Sequence, residues 1–424
     1  MPEEFLKRMS RQLSKESFDG FLKSYDRPPE RAIRVNTLKI SVEDFKKLAP
    51  FSLEPVPWEK NSFYVESEGL GKTIYHAAGA YYVQEPSAAS VAPQLEVKSG
   101  ERVLDLCSAP GGKGTQLAQY LGGNGVIILN EINFKRAQIL LSNVERLGIK
   151  NAVVTCAPPE ELATAFGEYF DKILVDAPCS GEGMFKKEPN AIPEWSVENV
   201  KKCSARQRDI LDNAYLMLAN GGRLVYSTCT FAPEEDEEQT DWFLKTHGCL
   251  PVKSKKLYPH EVRGEGHFYQ VYDKRAGGKN DIQNLIPSAD KKLLSIYKEW
   301  EKENLKITFS NILSVGQKLY SLPENMPQMN KNIQILCAGV FLGEVDGGRF
   351  QPAHALAMCL KSGEVNCVEV DESTALNYLR GLTFDCESGK GWRLVAYNNL
   401  PLGWCKVSDG VAKNHLPKGL RINK

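Results

Sequence analysis

Two cysteines stand directly after apolar, strand-like runs, where a thiol would leave the core of a sheet. Cys179 lies in "ILVDAPCSGEG" and Cys229 in "VYSTCTFAPEEDE", each beside turn-forming residues. Most cysteines are small buried hydrophobes, and we adopt that interpretation for the other nine of the eleven. Asp176 precedes Cys179 by three residues. We therefore predict one site that holds two thiols and a carboxylate.

This set of side chains suits methylation of C5 of cytosine, if a methyl donor is bound nearby. C5 is a poor nucleophile until a thiolate adds at C6, and a free thiol with a pKa of roughly 8.5 is only partly ionised at neutral pH. A protonated acid at N3 would draw electrons from the ring, so we expect the pKa of Asp176 to be raised. After methyl transfer the C5 proton must leave, and the second cysteine can help to break the covalent bond.

The segment "DLCSAPGGKG" follows a strand-like run and opens a helix, where a backbone can approach a ligand. It lacks the dinucleotide fingerprint because Leu117 replaces the third glycine, and it lacks the P-loop pattern because Gly114 follows Lys113. A nucleoside without a phosphate tail, such as that of S-adenosylmethionine, fits better than a phosphate. Glu131 ends the next strand, where a carboxylate commonly takes ribose hydroxyls. The alternative is a tight connection that binds nothing.

Strands and helices alternate through the middle of the chain, which predicts an α/β fold with a parallel, doubly wound sheet. The apolar runs that we assign to strands are 102–106, 125–131, 151–155, 172–176 and 223–228. In such sheets the ligand crevice lies at the carboxyl ends of the strands. The glycine-rich loop, Asp176 and both cysteines are therefore expected to share one crevice.

Outside the sheet the sequence signals change, and we divide the chain into four parts. These are an N-terminal α+β domain (1–80), the sheet domain (81–275), a connecting part (283–345) and a small β-rich domain (346–424). "KRAGGKND" (274–281) is typical of a linker. The segment 283–320 is predicted to be helical, and the short alternating runs with glycine turns after it predict strands.

Lys+Arg and Asp+Glu both total 53, so any RNA-binding surface must be local. Candidates are the basic residues after Cys179, where a solvated helix face is the alternative, and the basic tail: Lys186, Lys187, Arg206, Lys413 and Lys418.

The first ten residues lack a signal-peptide core and no run reaches membrane-spanning length, so we expect a cytoplasmic protein without a membrane partner. No C-x-x-C pair occurs, so we expect no metal site. His267 in "GEGHF" is expected to be a structural loop histidine, and the alternative is that it faces the pocket.

These motifs resemble those of the Sun/NSUN family of RNA cytosine-5 methyltransferases. "DLCSAPGGKG" resembles the family's cofactor motif, "VDAPCSGEG" its Pro-Cys motif, and "STCT" followed by "PEEDE" its Thr-Cys motif. "RVNTLK", "YVQEPSA" and "LYPHEVRGEGHF" also fit. "YNNLPLGWCKVSDGVAKNHLPKGLR" looks like the last domain of the bacterial RsmF branch, which methylates small-subunit ribosomal RNA.

The resemblance implies a role for each residue and a fold for the chain. Cys229 would be the nucleophile and Cys179 would assist product release, with Asp176 and Lys113 in the active site. S-adenosylmethionine would be bound by Asp176, Glu131 and the loop residues Cys107, Ser108, Ala109, Pro110, Gly111, Gly112 and Lys113. The implied fold is a Rossmann-like class I methyltransferase sheet with an N-terminal α+β domain and a PUA-like C-terminal domain that holds RNA.

The resemblance favours 16S ribosomal RNA near the decoding centre as the substrate, with transfer RNA second. A non-catalytic RNA-binding assembly factor is the rival from another class, and the presence of Cys229, Lys113 and Asp176 disfavours it. Two positions depart from the family pattern. The turn after the third strand carries Cys156, Ala157 and Pro158 in place of an acidic or amide contact to adenine, and Gly114 replaces the usual threonine.

Overall fold

The N-terminal part of the chain is an α+β unit, as predicted. The computed structural model describes residues 1–277, 283–329 and 332–422. The first helices and strands are α1 (Glu3–Gln12), α2 (Lys15–Ser24), β1 (Ala32–Val35), α3 (Val42–Leu48), β2 (Glu54–Pro55), β3 (Ser62–Tyr64), α4 (Ile74–Ala77) and β4 (Tyr81–Val83). The strands pair antiparallel in the order β2-β3-β1-β4, so β1 lies inside the small sheet.

The middle of the chain alternates strands and helices as the sequence predicts. Its elements are β5 (Arg102–Asp105), α5 (Gly112–Leu121), β6 (Val126–Asn130), α6 (Phe134–Leu147), β7 (Ala152–Cys156), α7 (Pro159–Phe166), β8 (Phe170–Asp176), α8 (Val197–Met217), β9 (Leu218–Thr228), α9 (Glu237–His247), β10 (Leu250–Leu257) and β11 (His267–Asp273). Strands β5 to β9 are parallel, and the antiparallel β11 and β10 extend the sheet beyond β9.

Local sequence explains where these elements begin and end. The strand β6 ("VIILN") is buried along its whole length, because helices cover both faces of a parallel sheet. The Asn133 side chain accepts a hydrogen bond from the backbone N–H of Arg136 and caps α6, which ends at Gly148 with a φ of 70°. Because β5, β8 and β9 are parallel, the connections that follow them all leave from the carboxyl end of the sheet.

The C-terminal part is rich in strands, as expected. It contains α10 (Lys291–Asn304), β12 (Ile312–Val315), β13 (Lys318–Ser321), β14 (Gln334–Ala338), β15 (Val340–Asp346), β16 (Arg349–Pro352), α11 (His354–Cys359), β17 (Cys367–Glu369), α12 (Glu372–Leu379), β18 (Phe384–Asp385), β19 (Gly391–Tyr397), β20 (Leu400–Ser408) and β21 (Val411–Asn414). One sheet has the order β12-β13-β15-β16 and another β17-β19-β20-β21-β18.

The prediction of a helical segment over 283–320 was wrong beyond α10. Residues 312–321 form the β12–β13 hairpin, in which Gly316 adopts a φ of 59° at the turn. The predicted boundary between residues 345 and 346 lies inside β15, whose hairpin with β16 extends to Pro352. Residues 278–281 of the predicted linker lie outside the described residues.

The three parts of the chain are packed against one another. The C-terminal strand β14 pairs antiparallel with β7, so the central sheet has eight strands in the order β10-β11-β9-β8-β5-β6-β7-β14. Tyr75 of the N-terminal unit contacts the ring of Tyr397 at a centroid distance of 5.7 Å and accepts a hydrogen bond from Asn398. Among the described ranges no helix is long and apolar enough to cross a membrane.

Candidate active site

A cavity of about 740 Å³ lies at the carboxyl ends of the parallel strands, where the sequence places the crevice. Its volume is typical of a small-molecule site. Among the residues predicted from sequence, those that line it are Cys107, Ala109, Glu131, Asp176, Cys179, Arg206 and Cys229. Ser108, Pro110, Gly111, Gly112 and Lys113 lie behind that lining, in the loop and in the first turn of α5.

The glycine-rich loop is held in place by α6. Arg136 donates from Nη2 to the carbonyl oxygen of Ala109 at 2.8 Å, and Asn143 donates to that of Pro110 at 2.9 Å. Gly111 has a φ of 111°, a conformation that L side chains rarely adopt, and it is the N-cap of α5. The loop is therefore held by hydrogen bonds from α6, while its residues Cys107 and Ala109 border the cavity.

Glu131 is placed as predicted, and its neighbour Asn130 is a residue that the sequence analysis missed. Glu131 is 3% exposed, accepts from the backbone N–H of Asn133 at 2.9 Å, and lies 3.2 Å from Nη1 of Arg136. Asn130 donates to the carbonyl oxygens of Leu106 and Ala157, so it joins the turns that follow β5 and β7. In the sequence, Asn130 could have been recognised as a polar residue in the otherwise apolar strand "VIILN".

Lys113 and Asp176 form an ion pair in which the amine is buried and the carboxylate is 31% exposed to the cavity. Nζ of Lys113 lies 2.8 Å from Oδ2 of Asp176, and Ser227 donates to Oδ1 at 2.7 Å. Burial alone would raise the pKa of Asp176, but Lys113 and His267 outweigh it and hold that pKa well below its usual range. The expectation of a raised pKa for Asp176 was therefore wrong, because a cation reaches the carboxylate from the glycine-rich loop.

His267 belongs to this cluster, contrary to the expectation that it is structural. It begins β11 and is 3% exposed, and its Nε2 lies 3.5 Å from Oδ1 of Asp176. Burial lowers the pKa of His267, with a further contribution from Lys113, so the neutral imidazole is favoured at pH 7. Since β11 pairs with β9, the histidine reaches the site from the antiparallel edge of the sheet.

The two predicted thiols meet at the end of β9. Sγ of Cys179 lies 3.2 Å from Sγ of Cys229, both are free, and both are partly exposed. The hydrogen bond with Cys229, together with burial, raises the pKa of Cys179 well above its ordinary value. Cys179 is therefore protonated at neutral pH and is placed to donate to the sulfur of Cys229.

Buried carboxylates connect the loops that carry the thiols. Glu235 accepts from the backbone N–H of Ser180 at 3.0 Å and from Gln207 at 2.8 Å, and burial raises its pKa to about 7. Glu182 accepts from the backbone N–H of Phe231 at 2.9 Å. Glu237 and Glu238 lie in the first turn of α9, whereas Glu235 binds Ser180, the residue after Cys179.

The predicted RNA-binding residues differ in exposure. Lys186 is not presented at the surface: only 9% of its side chain is exposed, and Nζ lies 3.5 Å from Glu265. Lys187 and Arg206 are exposed, and Arg206 borders the cavity. Lys413 and Lys418 are exposed on the C-terminal domain, outside the cavity lining.

The turn after β7 offers no acidic or amide side chain, as its sequence indicates. Cys156 donates from its thiol to the carbonyl oxygen of Ile132 at 3.4 Å, and the N–H of Ala157 is bound by Asn130. Pro159 and Glu160 line the cavity beyond this turn. Across residues 1–277, 283–329 and 332–422 no group of three or more His, Cys, Asp and Glu side chains is arranged to hold a metal ion.

The fold and the site define the class as a Rossmann-like methyltransferase. The structure of a methyltransferase homologue from Pyrococcus horikoshii is 30% identical in sequence and superposes with a TM-score of 0.55. The match covers 65% of this chain and all of that chain. NSun6 from Pyrococcus horikoshii is 22% identical with a TM-score of 0.60 and covers 65% of this chain and 99% of that one. The second likeness shows the shared fold alone.

Sequence comparison then identifies the family. Models described as the N-terminal domain of 16S rRNA methyltransferase RsmF, 16S rRNA methyltransferase RsmB/F, the RsmF rRNA methyltransferase first C-terminal domain and the methyltransferase RsmF PUA domain match residues 1–86, 92–277, 299–360 and 365–422. The ribosomal RNA small subunit methyltransferase F of Enterobacter sp. (strain 638) is 32% identical over 99% of this chain and 95% of its own. The chain belongs to the RsmF family of 16S rRNA methyltransferases.

Proposed function

We propose that this protein transfers a methyl group from S-adenosylmethionine to C5 of a cytosine in 16S ribosomal RNA. The observation that carries the proposal is the pair of thiols 3.2 Å apart, in the same cavity as Asp176 with its Lys113 partner. The chemistry requires one thiol that adds to C6 and a second thiol that assists the later release. The name of the full-length relative supports the choice of small-subunit RNA.

The donor set fits a nucleoside cofactor with a cationic sulfonium. Cys107 and Ala109 of the glycine-rich loop border the cavity, and Glu131 lines it as well. We assign the Glu131 carboxylate to hydrogen bonds with the ribose hydroxyls of the cofactor. Ile132, which is exposed, and Pro159 offer apolar contact for the base in place of a polar side chain. Bound there, the cofactor supplies an electrophilic methyl carbon.

In the proposed chemistry the Cys229 thiolate adds to C6, and N3 is protonated as charge develops on the ring. Because the pKa of Asp176 is depressed, Asp176 alone is a poor acid at neutral pH. We assign this step to the Lys113–Asp176 pair, in which the ammonium holds the proton and the carboxylate orients it. Ser227 donates a hydrogen bond to the Asp176 carboxylate, and Nε2 of His267 lies 3.5 Å from it.

Release follows from the state of the second thiol. Transfer of the C5 proton to solvent water re-forms the C5–C6 double bond as the C6–S bond breaks. Cys229 leaves as a thiolate, and N3 returns its proton to the Lys113–Asp176 pair. The Cys179 thiol, protonated because its pKa is raised, donates a hydrogen bond to that leaving sulfur. The same contact disfavours re-addition of Cys229 to the methylated base.

The RNA must present a flipped cytosine to this cavity. Arg206 at the cavity and Lys187 nearby are proposed to contact phosphates, and Lys413 and Lys418 to do so from the region that matches the PUA model. A ribosomal substrate places the enzyme in the cytoplasm. The position of the cytosine near the decoding centre stays a prediction.

The test uses the Cys179→Ala variant, isolated small ribosomal subunits and S-adenosylmethionine, with a denaturing gel as the readout. We expect a covalent protein–RNA adduct that disappears when Cys229→Ala is added. Cys203→Ala, a buried thiol outside the cavity lining, is the matched control and should give no adduct. An adduct with transfer RNA but not with the subunit would overturn the substrate. The absence of both the adduct and methyl transfer by the wild type would overturn the activity.

A further inference from the structure

A buried arginine of the N-terminal unit reaches the first turn of the helix that follows the glycine-rich loop. Arg34 lies on β1 and is 1% exposed. It donates to the carbonyl oxygen of Gly112 at 2.6 Å, to Oγ1 of Thr115 at 2.7 Å and to Oε1 of Gln119 at 2.5 Å. These three residues lie on one face of α5, at helical spacings of three and four.

The contacts of Arg34 demand one position of α5. The guanidinium also donates to Oε1 of Gln84, so four neutral oxygen atoms from two parts of the chain surround it. A buried cation is tolerated only when its donors are satisfied, and a planar guanidinium satisfies them in fixed directions. A shift of α5 by about 1 Å would lengthen several of these hydrogen bonds together beyond the usual limit of about 3.2 Å.

The rest of the same helix face is bound by the N-terminal unit as well. Gln84 donates to Oε1 of Gln116 at 3.0 Å, and Gln116 donates to Oε2 of Glu59 at 2.8 Å. Tyr120, one turn further along, donates to the same carboxylate oxygen. Connected buried polar groups of this kind act as one rigid unit, so the N-terminal unit holds α5 along two turns.

Lys113, the second residue of α5, depends on this placement. Its Nζ must span the site to meet Asp176 at 2.8 Å. We propose that Arg34 is a positioning residue, which sets the first turn of α5 so that Lys113 reaches Asp176. The N-terminal unit thereby completes the active site in addition to any contact it makes with RNA. This inference rests on the proposed function only in assigning the ion pair to catalysis.

The experiment compares Arg34→Lys with Asn36→Ala. Asn36 is a second buried polar residue between the N-terminal unit and the sheet domain; it donates to the carbonyl oxygens of Gly79 and of Leu147 at the end of α6. Both substitutions weaken the same interface, but of the two side chains only Arg34 is hydrogen-bonded to α5. We expect similar losses of thermal stability, at least a tenfold lower single-turnover rate of methyl transfer for Arg34→Lys, and a rate within twofold of wild type for Asn36→Ala.

A second readout does not depend on activity. Competitive acetylation of the lysines, measured by mass spectrometry, reports how well Asp176 shields the Lys113 amine. We expect faster labelling of Lys113 in Arg34→Lys and wild-type labelling in Asn36→Ala. Equal labelling and equal rates in the two variants would overturn the positioning role. An inactive wild type with the expected labelling would instead refute the proposed function and leave the positioning role standing.

Discussion

Gly114 stands where the Sun/NSUN motif usually carries a threonine, and its surroundings explain why no side chain fits here. A Cβ on Gly114 would lie 2.5 Å from Oγ of Ser108, 2.6 Å from Cδ2 of Leu129 and 2.7 Å from Oδ2 of Asp105. Optimal separations between non-bonded carbon atoms are about 3.5–4.0 Å. The Gly114→Ala substitution therefore requires the loop or the helix to move by roughly 1 Å.

Two opposing effects determine how much Gly114→Ala changes the free energy of unfolding. Overpacking of a well-packed site costs about 1–3 kcal/mol. Replacing glycine by alanine in a helix recovers about 1 kcal/mol of helix propensity. We therefore expect Gly114→Ala to lower the free energy of unfolding by about 1 kcal/mol. Where the loop moves instead of the helix, the same strain weakens cofactor binding, by roughly tenfold for each 1.4 kcal/mol.

Calorimetric titration with S-adenosylmethionine and denaturant unfolding measure the two effects. Gly71→Ala is the matched control, because no atom lies within 4 Å of its added Cβ. Adding Ser108→Ala to Gly114→Ala removes the nearest clashing atom, so the double variant should recover part of the lost affinity. Wild-type affinity and stability in Gly114→Ala, or a double variant no better than the single one, would refute the steric reasoning.

Three further predictions concern charges and thiols. Burial raises the pKa of Asp105 to about 7, so the wild type loses stability as pH rises from about 4 to 7; Asp105→Asn should gain stability relative to it between pH 5 and 8 in urea unfolding. Removing one partner of a fully buried ion pair costs about 3–5 kcal/mol, and exposed pairs contribute about 0–1 kcal/mol. Because the Asp176 carboxylate is 31% exposed, Lys113→Met should be less stable than wild type by about 1–2 kcal/mol at pH 7, and the difference should shrink as pH falls through the depressed pKa of Asp176. Hydrogen peroxide should join Cys179 and Cys229 in a disulfide, forming water and abolishing methyl transfer until a reductant is added, and peptide mass spectrometry checks the bond.

The sequence predicted the parallel strands because each is a short apolar run between turn residues. It also predicted the crevice, since Cys107, Asp176 and Cys229 all follow such runs and parallel strands end at one edge. The hairpin after α10 was missed because its two strands have only four residues each and lie next to a true amphipathic helix. Local pattern therefore predicted the positions of the loops well.

Contacts between distant segments could not be predicted in this way. His267 enters the site because β11 pairs with β9, and nothing near it in sequence signals that pairing. The charge state of Asp176 depends on an amine that comes from a loop 63 residues earlier. Arg34 looked like one residue of a strand motif, and its burial against α5 emerges only when the N-terminal unit is packed on the sheet domain.

The proton states around Asp176 constrain any mechanism at this site. Its carboxylate is ionised at neutral pH, the His267 imidazole is favoured in its neutral form, and Cys179 keeps its proton for Cys229. Although burial opposes the charged amine, Asp176 raises the pKa of Lys113, so among these groups Lys113 is the cation in contact with the carboxylate. In the mechanism that we propose, the proton that the ring requires at N3 is delivered through this pair, and delivery depends on the 2.8 Å contact between them. For this reason a residue that only sets the position of α5 can govern the rate of a step in which it takes no part.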